Sequence, residues 1–169
     1  MVEYCWATEY LLVFQRRALF RKRQEKSMEE KRDVVADLLN TTFMPTDAGE
    51  YTDGIMAILR RIPDGWGRAV RVSRGWYPII VDLDTRLATI DPEYKVWQVK
   101  QKYGGLRYYI ESSNWEDGEL EDRLNDLVET AEDLSYRTCE WCGTQDSTVD
   151  ARHLNAWIAT LCDSCTATA

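Results

Sequence analysis

Two cysteine pairs constrain this chain more than any other feature. Cys139-x2-Cys142 and Cys162-x2-Cys165 lie in the segment "RTCEWCGTQDSTVDARHLNAWIATLCDSC", with 19 residues between the pairs. Two residues between thiols let a tight knuckle turn both sulfurs to one side, and two such knuckles complete a tetrahedron around one ion with metal–sulfur bonds of about 2.3 Å. Gly143, directly after the second sulfur, relieves the backbone where the knuckle turns back. The apolar residues between the pairs are Val149, Leu154, Trp157, Ile158 and Leu161, too few for a loop of this size to fold unaided. A structural zinc supplies about 10–16 kcal/mol.

The spacing therefore predicts one structural Zn2+ on Cys139, Cys142, Cys162 and Cys165, in a zinc ribbon over residues 137–169. Four thiolates leave no position for an activated water, so the ion is expected to be structural rather than catalytic. A redox dithiol pair and an iron–sulfur site are alternatives with the same residues, although a thioredoxin-type pair belongs beside a βαβ pattern that is absent here. His153, the sole histidine, lies between the pairs and reads as an ordinary polar loop residue. Cys5 is left over and is expected to be a free thiol.

Upstream, hydrophobic periodicity predicts a body over residues 28–136. "SMEEKRDVVADLL" offers a capping box with Ser27 as N-cap, and an apolar face of Val34, Val35, Leu38 and Leu39. Met28 then marks residues 1–27 as a basic N-terminal helical extension or alternative start, packed on the body. "IMAILRRI" reads as a short helix ended by Pro63, and "WYPIIVDLDTRLATI" as a second one with Pro78 in its first turn and Ile80, Leu83, Leu87 and Ile90 on one stripe. The "DLD" carboxylates, two apart on that helix, point different ways and read as a solvated face. In "YKVWQVKQKYGGLRYYIES" two alternating runs meet at Gly104-Gly105, which predicts a hairpin with Lys102 opposite Arg107, Lys100 opposite Tyr109 and Gln98 opposite Glu111. "NWEDGELEDRLNDLVETAEDLSYR" is a helix with Asn114 as N-cap, leading directly to Cys139. The fold class expected is α+β, helices packed on a small antiparallel hairpin sheet, with the zinc ribbon docked at the end of the 115–136 helix.

Charge limits the partners. The formal net charge is −8, but residues 1–32 hold eight Lys/Arg against five acids, so they carry +3 and the remainder 13 − 24 = −11. An acidic body argues against broad duplex-DNA binding, which needs a basic surface, while leaving room for a local basic patch or a surface that mimics nucleic acid. "MVEYCWATEYLLVF" has neither a cationic start nor the roughly 20 apolar residues of a span. A cytoplasmic protein without a transmembrane segment is expected. The signatures of phosphate-binding loops, zinc proteases and serine hydrolases are missing, so a non-enzyme is expected. The residues singled out for binding are Lys100, Lys102 and Arg107 with Tyr109, a basic and aromatic strip suited to single-stranded nucleic acid.

"GWYPII", "QVKQKYGGLRYY", "CEWCG" and "TLCDSC", in this order over residues 75–165, resemble a family of small bacteriophage and prophage proteins in which a Gly-Trp helix start, such a hairpin and a C-terminal four-cysteine ribbon recur. The resemblance implies a phage origin and zinc on the four cysteines, but no reaction. The leading expectation is a non-enzymatic protein-binding or adaptor module directed at a host or phage protein. Nucleic-acid binding through the hairpin and ribbon is the alternative, and an enzyme of unknown chemistry is the third.

Overall fold

The computed structural model describes the backbone of residues 5–169 and the side chains from residue 22 onward. The chain divides into two compact units, Met1–Leu39 and Asn40–Ala169. The first is occupied by one helix, α1 (Cys5–Asn40). It runs unbroken through Ser27, so the predicted N-cap is not used: "RKRQEK" and "MEEKRD" on either side are strong helix formers, and one interior serine costs only a few tenths of a kcal/mol. The boundary between the two compact units falls at 39/40. Val34, Val35, Leu38 and Leu39 are exposed. The packing expected of the first 21 side chains and the thiol of Cys5 lie outside the described residues.

The second unit is α+β, as the periodicity predicts. Its elements are β1 (Thr42–Phe43), α2 (Thr52–Arg60), β2 (Arg68–Arg71), α3 (Tyr77–Ile90), β3 (Lys95–Lys102), β4 (Gly105–Glu111), α4 (Gly118–Ser135), β5 (Asp150–Leu154), β6 (Trp157–Leu161) and α5 (Asp163–Thr166). The sheet is larger than the expected hairpin. It has four strands in the order β1-β2-β3-β4, with β1–β2 and β2–β3 parallel and only β3–β4 antiparallel; β5 and β6 form a separate pair. One face of the sheet carries the core: Val96 and Val99 of β3 and Leu106 and Tyr108 of β4 meet Ile55, Ile58 and Leu59 of α2, Ile80, Leu83 and Leu87 of α3, and Leu124 and Ala131 of α4.

The hairpin turn differs from the sequence expectation by one residue. Its two loop residues are Tyr103 and Gly104, both with positive φ (54° and 79°), and Gly105 is the first residue of β4. These are the values of a type I′ loop, which takes positive φ at both positions. Here a tyrosine accepts one of them because Gly105 is required elsewhere: a Cβ on it would collide with the ring of Tyr136. The pairing shifts accordingly, to Lys102 opposite Gly105, Lys100 opposite Arg107 and Gln98 opposite Tyr109, with a bulge at Trp97 between Val96 and Gln98.

Two further expectations are corrected. Asp117, not Asn114, caps α4, its Oδ1 accepting from Leu120 N at 3.0 Å. Asp84 is buried rather than solvated: it accepts from Arg61 Nε at 2.9 Å and from the Tyr94 hydroxyl, while the Arg61 guanidinium lies 4.4 Å from the Tyr94 ring centre. Burial, seconded by neighbouring groups, pushes the Tyr94 and Tyr108 phenols well above their ordinary range. α4 runs along the free edge of β4 and satisfies it with side chains, Ser135 Oγ accepting from Leu106 N at 2.9 Å and Glu132 Oε1 from Tyr108 N at 3.0 Å. A sheet edge closed in this way offers no template for a further strand.

Candidate metal centre

The first cysteine pair sits on a knuckle built by backbone bonds. Cys139 N donates to Thr144 O at 2.8 Å, Gly143 N donates to Cys139 O at 2.9 Å, and Gly143 holds φ at 80°, the left-handed value that a glycine there permits. The second pair is placed differently from a two-knuckle ribbon. Cys162 precedes α5 and Cys165 lies on its single turn, so the segment runs knuckle, hairpin, helical turn. The β5–β6 hairpin between them contributes Ala159 and Leu161, which with Cys139 and Cys162 form a core of four buried residues flanked by Val149, Leu154 and Cys165.

This arrangement brings Cys139, Cys142, Cys162 and Cys165 together, their sulfurs all within 4.8 Å of one another. Cys142 Sγ and Cys162 Sγ are 3.7 Å apart. A tetrahedron with bonds of about 2.3 Å has sulfur–sulfur edges of about 3.8 Å, whereas a disulfide bond is about 2.05 Å. The sulfurs are thus set at the spacing of ligands around one ion, and all four thiols are free. His153 lies on β5 opposite Ile158, exposed and outside the cluster. Burial pushes the Cys139 thiol up, but the N–H groups of Cys142, Cys162 and Trp141 outweigh it and bring it down to about 7. Cys142 is drawn down by the Thr144 N–H, yet burial and the Cys139 and Cys162 sulfurs leave it above its ordinary value; Cys165 is raised by burial and then by the other three sulfurs. Four bare thiols so close cannot all ionise, and a cation among them would displace their protons.

The cysteine segment is fastened to the body through residues far off in sequence. Gly75 N donates to Glu140 O at 2.8 Å, and the buried Trp76 donates its Nε1–H to Thr138 O at 2.8 Å. A Cβ on Gly75 would overlap the Cys139 carbonyl oxygen and come within 2.6 Å of both Glu140 O and Gly143 N, so the knuckle rests directly on the Gly75 backbone. On the other side Thr160 Oγ1 donates to Gly104 O and Gln101 Nε2 donates to Ile158 O, while within the segment Glu140 N donates to Thr160 O at 2.8 Å and ties the knuckle to β6. Docking at the end of α4 was expected; the contacts go mainly to the start of α3 and to the β3–β4 turn. The motifs "GW", "KYGG" and "CEWCG" are therefore parts of one junction. The part that Gly75, Trp76, Gln101 and Thr160 play in this junction was not read from the sequence, although the Gly-Trp pair before a helix stood out in it.

The residues singled out for binding all lie on the face of the sheet opposite the core. Lys100 stands between Arg71 of β2 and Arg107 of β4, with its Nζ 5.3 Å from the Tyr109 ring centre. Lys102 is exposed and lies over Tyr103. Arg107 is more committed, donating to Glu132 Oε2 at 3.2 Å and to the Tyr136 hydroxyl at 2.9 Å. Arg71 was missed because four residues, "RAVR", are too short to show an alternating pattern. Among the described residues no helix is long and apolar enough to cross a membrane. No family model, curated protein or solved structure matches this chain.

Proposed function

We propose that this chain is a non-catalytic binding module, in which a structural zinc locks the C-terminal segment onto the body and the sheet face left exposed among the described residues is the interface. The four-thiolate set supports zinc in a structural role, because sulfur fills each position at which a catalytic zinc would hold water. One observation carries the interface. On their face opposite the core, strands β2, β3 and β4 hold five Lys/Arg (Arg71, Lys95, Lys100, Lys102 and Arg107) and a single acid, Glu111, whereas α4 alone holds seven acids and one Arg. In a chain of net charge −8, that segregation concentrates positive potential on one side.

The partner is accordingly a macromolecule with an anionic surface. The resemblance to phage proteins adds that it belongs to a host or a phage, and an adaptor directed at a protein is one form of this reading. Retention on a sulfonated cation exchanger at neutral pH and low salt tests the interface. The wild-type chain is expected to be retained despite its net charge, and an Arg71→Glu/Lys102→Glu variant to flow through. A wild-type chain that is not retained would remove the interface.

A further inference from the structure

The uncovered face has a feature that folding alone opposes. Arg71, Lys100 and Arg107 stand in one transverse row across β2, β3 and β4, each directly beside the next. Like charges in facing positions destabilise a sheet, whereas an opposite charge in either place would help. Glu132 neutralises only Arg107, at the β4 edge. Lys102 continues the positive surface toward the turn, and at the other end Lys95 is balanced by Glu111 at 3.1 Å. Interleaved with the cations are aromatic rings that the core does not use. Tyr109 is 42% exposed beside Lys100, Tyr136 is 42% exposed beside Arg107, and Phe43 is 47% exposed opposite Ala69 on β1. By the Trp97 bulge, Trp66 packs on Trp97 at 4.7 Å with 58% of its own surface in solvent.

Cations spaced along a sheet neutralise phosphates, and rings between them stack on bases, which are accessible only where strands are unpaired. An acidic peptide would satisfy the cations but leave the rings without planar partners. A duplex would bury its bases and present the acidic α4 side with a large like-charged surface.

We propose that the open face of the β1–β4 sheet binds single-stranded nucleic acid, with Arg71, Lys100 and Lys102 on the phosphates and Tyr109 stacked on a base. This assignment rests on the interface reading above and names its occupant.

The test uses the zinc-loaded full chain and a fluorescein-labelled oligothymidine of about twelve nucleotides, with its oligouridine counterpart, read by anisotropy. Binding is expected at low salt, with log K falling against log[salt] at a slope of about −2, as release of about three counterions from a single strand requires. Tyr109→Ala should weaken it at least fivefold or so. Tyr109→Leu keeps the apolar bulk and removes the ring, and is expected to do the same. Arg71→Ala/Lys102→Ala should flatten the salt slope. The inference is overturned by no binding of either oligonucleotide, by equal binding of an oligoglutamate of the same length, or by unchanged affinity in both Tyr109 variants. If the chain is still retained on the cation exchanger in those cases, the anionic interface stands and its occupant is a protein.

Discussion

Replacing Gly75 with alanine tests how the metal segment is joined to the body. Gly75 has an ordinary negative φ, so alanine suits its backbone, and the loss of freedom in the unfolded chain would by itself stabilise the protein by about 0.4–1 kcal/mol. The surroundings reverse that sign. The new Cβ would overlap the Cys139 carbonyl and lie 2.6 Å from Glu140 O and Gly143 N, against ordinary contacts of 3.4 Å or more. These atoms are backbone, so no rotamer change makes room, and the knuckle must retreat by about 1 Å. Overpacking of this kind costs about 1–3 kcal/mol. The retreat also stretches the bonds from Gly75 N to Glu140 O and from Trp76 Nε1 to Thr138 O, worth about 1 kcal/mol each. The net expectation is a loss of about 2–5 kcal/mol. Urea denaturation followed by tryptophan fluorescence measures it, and titration of accessible thiols in the native state reports whether the knuckle has loosened. Gly65 is the control: its φ is +85° with open space around it, so Gly65→Ala should cost only about 1–2 kcal/mol of backbone strain and leave the thiols unchanged. A Gly75→Ala protein as stable as the wild type, with equally protected thiols, would refute the junction.

Ser135→Ala removes the acceptor for Leu106 N at a fully buried position, so a loss of about 1–3 kcal/mol is expected in the same urea assay; a loss below a few tenths would show that the edge of β4 is satisfied otherwise. Alkaline conditions test the buried tyrosines. The Tyr94 and Tyr108 phenols are held above their ordinary value of 10, so stability is complete below that pH and declines above it, as the unfolded chain releases protons that the folded one keeps. The slope should approach about 1.4 kcal/mol per pH unit for each tyrosine so raised, Tyr77 beside Asp47 included, and Tyr108→Phe should lower it by roughly a third; a flat profile up to pH 11 or so would contradict the burial of these hydroxyls.

What could be read from the sequence was what short-range chemistry determines. The cysteine spacing locates its ligands because two intervening residues suffice to form a knuckle, and the stripes of α3 and α4 identify helices because their apolar residues recur at the helical period. The rest depends on distant partners. β1 and β2 are two and four residues long and become strands only through pairing, β2 with β3 and β1 with β2. Asp84 looks like one more charge on a helix until Arg61 and Tyr94 close on it. The hairpin turn is displaced by Tyr136, 31 residues beyond Gly105, and the α1 cap at Ser27 is overridden by helix-forming residues on both sides. The cationic row was partly visible: two of its three members, Lys100 and Arg107, lie in the hairpin, but the alignment of Lys100 with both Arg71 and Arg107 follows from the register.

The most direct measurement is the metal content of the chain, expressed with zinc and purified reduced without chelator, taken together with its unfolding before and after metal removal. One zinc per chain is expected, with Cys139, Cys142, Cys162 and Cys165 protected from alkylation until a chelator is added. Removal should release the 137–169 segment from Gly75 and Gly104 and make it sensitive to protease. Substoichiometric zinc with all four thiols reactive, or a segment that stays folded and docked once the metal is gone, would contradict a structural ion at this site.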